Sequence, residues 1–118
     1  SSADLTAQAY TFTLANNNSS TAYFAMEGTR YWDGAKFVYK TLFPSASIST
    51  LVNCTVVSGS TNAAFIINPN ATATFAFTPT ATIAKEQMQF SAPNAQIFSL
   101  GDATASGSLL GVDLAITP

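Results

Sequence analysis

RYWDGAKFVYKT, residues 30 to 41, sets Asp33-Gly34 between two runs rich in aromatic and β-branched residues. Such a pair predicts a β-hairpin closed by a type I′ turn, with Asp33 and Gly34 at its two positive-φ positions and strand register set by the turn itself. The stretch also holds the chain's one Trp (Trp32), two of its four Tyr (Tyr31 and Tyr39) and three of its four cations (Arg30, Lys36 and Lys40). No catalytic motif accompanies it, so its first message is a fold class, all-β.

The rest of the composition agrees. The 118 residues fit one domain, long enough to bury roughly two thirds of the surface its unfolded form exposes. Hydrophobic residues make up 47% but charged residues 8%, against about 25% charged in ordinary soluble proteins. Ser, Thr, Asn and Ala take the place of charge, and a surface with little electrostatic repulsion favours association. A net charge of −2 with no basic run argues against nucleic acid as a partner. No apolar run approaches the length of a membrane helix, so no membrane span is expected. The start Ser-Ser-Ala-Asp, without Met, is read as a processed mature chain, which predicts a secreted, extracellular or cell-surface location. The lone Cys54 forms no internal disulfide and is expected to serve as a small buried hydrophobe.

Alternation of apolar and polar residues extends the β pattern in both directions from the hairpin. Leu5 to Ala15 places Tyr10, Phe12 and Leu14 on one face, and Asn16 to Thr21 follows as a polar, flexible linker. Ala22 to Glu27 resumes a strand with Ala22, Phe24 and Met26 opposed to Tyr23, Ala25 and Glu27. Ile48 to Val57 reads as a single strand with Ile48, Val52, Cys54 and Val56 inward and Leu51 and Val57 outward. Turns at Ser58 to Asn62 and Asn68 to Asn70 bracket a short strand from Ala63 to Ile67. Ala71 to Thr78 sets Ala73, Phe75 and Phe77 on one side, and Pro79 limits it. Gln87 to Ser91 and Ala95 to Leu100 are expected strands, Asp102 to Ser108 a loop, and Leu110, Val112, Leu114 and Ile116 the apolar face of a last strand. Eight to ten short strands without a useful amphipathic helix predict an antiparallel β-sandwich, immunoglobulin-like or jelly-roll. The expected organisation is an N-terminal strand over residues 1–15, a polar linker over 16–21 and a sandwich body over 22–118.

The search for chemistry returns exclusions. Without His there is no Ser-His-Asp or Cys-His arrangement and no imidazole-based zinc site. The six carboxylates, Asp4, Glu27, Asp33, Glu86, Asp102 and Asp113, are scattered, which disfavours a glycosidase pair and a calcium loop. Lys40 and Lys85 are read as solvated surface lysines and not as partners in an internal Lys-Asn cross-link. No cofactor, no metal and no enzyme activity are expected. The positive motif is Asn-x-Ser/Thr, present at Asn17, Asn18, Asn53 and Asn70, which marks four candidate N-glycan acceptors at positions expected to reach solvent. A second candidate is a ligand platform around Tyr31 and Trp32 on which sugar rings stack. Phe37 and Tyr39 share one parity and are expected in the core, leaving Trp32, beside the turn, as the freer aromatic.

Low charge, Thr/Asn/Ser-rich strands, several sequons, no His, no paired Cys and a detachable first strand make the chain resemble the secreted β-sandwich subunits of archaeal surface filaments, the threads and bundling pili. The resemblance spans the whole chain in composition and strand pattern. It implies a head-to-tail homopolymer joined by donor-strand complementation, in which the N-terminal strand completes the sheet of the next copy; here Leu5 to Ala15 would be that strand, with Tyr10, Phe12 and Leu14 as its buried anchors. The absence of a long apolar N-terminal helix separates the chain from type IV pilins and archaellins. Two other classes fit the same composition: a carbohydrate-binding module or adhesin, and a viral capsid or decoration jelly roll.

Overall fold

The computed structural model describes residues 4–84, 87–90, 98–99, 107–109 and 111–118. The expectations for Lys85, Glu86 and Leu110, for most of the Ala95 to Leu100 strand and for residues 102–106 lie outside them. Twelve short strands are found among the described residues: β1 Tyr10–Asn16, β2 Ala22–Ala25, β3 Arg30–Trp32, β4 Phe37–Tyr39, β5 Ile48–Val52, β6 Cys54–Val56, β7 Ala64–Ile67, β8 Thr72–Phe77, β9 Met88–Phe90, β10 Phe98–Ser99, β11 Gly107–Leu109 and β12 Val112–Thr117. No α-helix occurs among the described residues; short 3₁₀ turns lie at Met26–Gly28 and Ser45–Ser47, and Gln87, expected to begin a strand, is 3₁₀ as well, so that β9 starts at Met88. No helix among the described residues is long and apolar enough to cross a membrane. The fold is therefore all-β and antiparallel, as the alternation predicts, with more and shorter strands than the eight to ten expected.

The strands are apportioned among three sheets, with orders β11-β12-β1-β8-β5, β10-β9-β3-β4 and β2-β7-β6. One aromatic core holds them together. Phe12, Phe43, Phe65, Phe75 and Phe77 are completely or almost completely buried. Phe65 of β7 stacks on Phe75 of β8 with ring centroids 4.2 Å apart, and Phe12 of β1 stacks on the same ring at 5.0 Å. These contacts press the inner face of the three-stranded sheet onto that of the five-stranded one. Met88 of β9 is buried and Tyr31 of β3 packs against the same cluster, so the hairpin sheet also turns one face to the core.

Four local readings are corrected. The turn after Trp32 is not a two-residue type I′ turn: Trp32 pairs with Phe37, leaving Asp33 to Lys36 as the loop. Gly34 alone there has positive φ, +106°. Asp33 instead accepts hydrogen bonds at Oδ1 from the backbone N–H of Ala35 (2.8 Å) and Lys36 (2.9 Å), so its carboxylate closes the loop as an Asx turn.

The expected strand Ile48 to Val57 is two strands in two different sheets. Thr50, at φ 56°, accompanies a one-residue slip in the β5–β8 pairing between Ser49 and Val52, the signature of a bulge. Asn53, at φ 57°, then turns the chain from β5 into β6. The break reverses the parity of Val52, which is 47% exposed beside Leu51 at 42%.

The third correction concerns the start of the chain. The ladder begins at Tyr10 and not at Leu5, which is fully buried and makes an isolated bridge to Ile83. The expected loop of residues 102–108 is also shortened, since Gly107 and Ser108 already belong to β11.

Candidate functional site

The first strand of the chain is an inner strand of its sheet. Its pattern YTFTLAN turns Tyr10, Phe12, Leu14 and Asn16 inward and leaves Thr11, Thr13 and Ala15 on the other face. On one side β1 pairs with β12 from Thr11↔Thr117 to Asn16↔Val112; on the other it pairs with β8 from Tyr10↔Phe77 to Ala15↔Thr72. The three anchors read from the sequence thus sit in the core of their own chain. The Tyr10 hydroxyl accepts from Thr6 N–H (2.9 Å) and Gln8 Nε2 (3.1 Å), a polar tip satisfied above a buried ring.

Asn16 continues the inward parity of Tyr10, Phe12 and Leu14, and it is 2% exposed. Its Nδ2 donates to the carbonyls of Ser20 (3.0 Å), Asn68 (3.0 Å) and, at longer range, Ile67 (3.4 Å). Its Oδ1 accepts from the backbone N–H and the Nδ2 of Asn18, both at 3.0 Å. A buried amide so fully satisfied costs little to bury and much to disrupt. The segment beyond is held to the body as well: Asn17 N–H donates to Gly111 O (2.9 Å), and Asn70 N–H donates to Asn18 O (3.0 Å). Gly111 has φ +77°, and a Cβ there would lie 2.8 Å from Asn18 Oδ1. The polar stretch 16–21 is consequently held at Asn16, Asn17 and Asn18 and, through its carbonyl, at Ser20, while the side chains of Ser19 to Thr21 are exposed.

The four sequon asparagines reach the surface to different degrees. Asn17, Asn53 and Asn70 are exposed and Asn18 is half-buried. Asn17 Nδ2 donates to Asp113 Oδ2 (2.9 Å) and Asn53 Nδ2 to Thr72 O (3.0 Å).

The hairpin sheet does not build the expected Tyr31–Trp32 platform. Neighbours in a strand face opposite ways, and Tyr31 leans on the core while Trp32 is exposed. Tyr31 Oη donates to Gln87 Oε1 (2.9 Å), and Lys40 Nζ lies 4.4 Å from its ring centre. Phe37 and Tyr39, expected in the core, are 40% and 71% exposed. They share the outer face with Trp32 and Arg30, as the pairs Trp32↔Phe37 and Arg30↔Tyr39 require. There Trp32 meets Phe37 edge-on at 5.0 Å and the Arg30 guanidinium lies 5.3 Å over the Phe37 ring while donating to Gln89 Oε1 (3.1 Å). The sequence reading missed this outer strip because it took the parity of Phe37 and Tyr39 as inward.

Elsewhere the surface is sparse in chemistry. Among the described residues no three His, Cys, Asp or Glu side chains gather into a metal site. Cys54 is half-buried, and loss of solvent raises its thiol pKa, which keeps it protonated. Tyr23 Oη donates to Glu27 Oε1 at 2.6 Å, and that bond pushes the phenol up to about 12. A pocket of about 80 Å³ between Leu42, Pro44, Phe77 and Ile83 is well below the roughly 300 Å³ at which ligand sites begin. No family model, no curated protein and no solved structure matches the chain.

Proposed function

We propose that the chain is a non-enzymatic structural subunit of an extracellular filament, secreted, carrying N-linked sugar, and joined head to tail to copies of itself by donor-strand complementation. The observation that carries this reading is topological: the strand nearest the start of the chain occupies the middle of the five-stranded sheet, between β8 and β12. Without β1 the sheet would part into β11-β12 and β8-β5, with a groove between them whose walls are main-chain donors and acceptors and whose floor is apolar. Tyr10, Phe12 and Leu14 fill that floor, each burial contributing about 1.5–3 kcal/mol. The groove must be filled, and a strand from the same chain or from a neighbour satisfies it with identical contacts, the logic of β-augmentation. Asn16 to Asn18 bond to β12 and to the 68–70 turn, so they would travel with β1. That leaves Ser19 to Thr21, tied to Asn16 through the Ser20 carbonyl, as the hinge. Exchange of this kind is heterologous and propagates into an open polymer.

A double variant, Thr13→Cys with Thr74→Cys in a Cys54→Ser background, tests the reading, since positions 13 and 74 are paired in register. Oxidation of assembled protein should give a covalent ladder on non-reducing gels, and filaments should be visible by electron microscopy. Cross-linked monomer alone, with no fibres at any concentration, would overturn it.

A second reading, a carbohydrate-binding module or adhesin, draws on the outer strip of Trp32, Phe37 and Tyr39 with Arg30 and Gln89 beside it. Aromatic faces next to fork-shaped donors suit sugar rings. It predicts a change in Trp32 fluorescence on adding polysaccharide, and an unchanged spectrum across a glycan panel would remove it.

A further inference from the structure

The fold sorts the four Asn-x-Ser/Thr acceptors by the state of the nitrogen that a sugar must take. In Asn17 that nitrogen donates to the Asp113 carboxylate, a charge-assisted bond to β12. In Asn18 it donates to Asn16 Oδ1 inside the network that ends β1. In Asn53 it donates to Thr72 O, across the corner between β5 and β6. Asn70 differs from all three. Like Asn53 it is exposed and has a left-handed φ, 52° at the end of the Asn68-Pro69-Asn70 turn, but its side chain has no hydrogen-bond partner among the described residues, while its backbone N–H is tied to Asn18 O. Asn is among the few residues that adopt this left-handed conformation readily. Thr72, the hydroxyl residue of its sequon, is exposed at the start of β8.

We propose that Asn70 is the preferred N-glycan acceptor of the folded protein and that Asn17, Asn18 and Asn53 are slowed once the chain has folded. The inference rests on the exported, glycosylated part of the reading above and not on polymerisation. The co-substrate is an oligosaccharide carried on a lipid phosphate or pyrophosphate. The Asn70 amide nitrogen attacks C1 of the first sugar; the C1–N bond forms, the C1–O bond to the lipid phosphate breaks, and the phosphate leaves with the bonding pair. The displaced amide proton passes to a base of the transferase, and no atom changes oxidation state. A sugar on Asn17 or Asn18 would instead open the hydrogen bonds that hold the end of β1, so modification there and docking of that strand oppose each other.

The test supplies the purified, folded full-length chain with an oligosaccharyltransferase and its lipid-linked oligosaccharide, and reads site occupancy over time by mass spectrometry of peptides. The same chain unfolded in urea and then diluted into the reaction, together with a short peptide spanning residues 68–74, serves as the control. In the folded chain Asn70 should react at least about fivefold faster than each other sequon, the factor expected from one hydrogen bond that must first be given up. The unfolded chain should lose that preference, and Asn70→Asp, which keeps the left-handed turn accessible, should leave the folded chain to react only at the slower sites. Equal or faster reaction at Asn17, Asn18 or Asn53 in the folded chain would overturn the proposal. So would a folded chain that stays bare at Asn70 while the peptide reacts. Because the assay uses folded protein before assembly, an absence of filaments leaves its result unaffected.

Discussion

Strand β1 and the β3–β4 hairpin are both alternating and aromatic, yet they meet opposite fates. In β1 the large side chains occupy alternate positions, small or hydroxyl residues occupy the others, and one face is buried completely. In the hairpin, large side chains stand on both faces: Tyr31 and Val38 turn toward the body, while Trp32, Phe37 and Tyr39 are left outside. The difference teaches that alternation defines two faces but not which of them the fold will cover. That choice belongs to neighbours. β1 has a partner on each side and an aromatic layer beneath it, whereas β4 ends its sheet among the described strands. Lys36 and Lys40 flank β4, the kind of charge that discourages an exposed edge from pairing with another chain.

The comparison breaks most visibly if equal truncations cost equal amounts. Phe12→Ala removes a ring that touches Phe43, Phe75 and Phe77, and it should cost about 3–5 kcal/mol. That is a large share of the about 5–15 kcal/mol that holds a domain together. Phe37→Ala, on the outer strip, should cost less than about 1 kcal/mol. Urea unfolding of the two variants, followed by tryptophan fluorescence and by circular dichroism, decides the matter; similar midpoints would show that the strip is structural.

A smaller effect sharpens the account of how β1 ends. Asn16→Ala deletes a buried amide and strips the carbonyls of Ser20 and Asn68 and the N–H of Asn18 of their partner. A loss of about 2 kcal/mol follows, with faster amide exchange confined first to residues 17–21 and 68–70. A variant as stable as the parent would mean that water replaces the network at no cost.

The smallest effect lies in the hairpin turn. The N–H groups of Lys36 and Ala35 hold the Asp33 carboxyl below its ordinary value of 3.8. A depressed folded-state value stabilises the turn at every pH above 3.8, and this contribution fades as pH falls through the folded value. Because Asp33 is fully exposed, only the turn should respond. The amide shifts of Ala35 and Lys36, followed by NMR, should titrate together with a midpoint below 3.8; a midpoint at or above that value would dissociate the carboxylate from the turn.

Much of the fold is legible in the chain before any coordinates. The strict parity of Tyr10 to Leu14, Ala73 to Phe77 and Val112 to Ile116 marks three strands that prove to be neighbours, because each has one unambiguous apolar face. The hairpin is legible as a hairpin, but its turn is not: Asp-Gly serves both a two-residue turn and the longer Asx-closed loop found here. The break in Ile48 to Val57 is hidden for a different reason. Thr50 at positive φ is a conformation that a β-branched residue seldom adopts, and no local preference announces it. The Asn16 network could have been suspected, since Asn16 occupies the next inward position after Tyr10, Phe12 and Leu14; a polar residue at an apolar parity asks for buried partners. The fate of the sequons was not readable at all, because their hydrogen-bond partners lie up to 96 residues away in the chain.

The register of β1 against β12 has a mechanical meaning. Thr11 lies opposite Thr117 and Asn16 opposite Val112, so tension entering at Tyr10 and leaving at Thr117 pulls on adjacent corners of one ladder. Its rungs would then open singly, like a zip. Tension entering through Asn16 and leaving through Thr117 acts at opposite ends of the same ladder and slides one strand along the other, so that all the rungs resist at once. A strand lent to a neighbouring copy would take its load through Asn16, the end next to the hinge, and so would escape the first path. The same hydrogen bonds that peel apart under a weak pull in a self-contained chain would there bear load as a tensile joint.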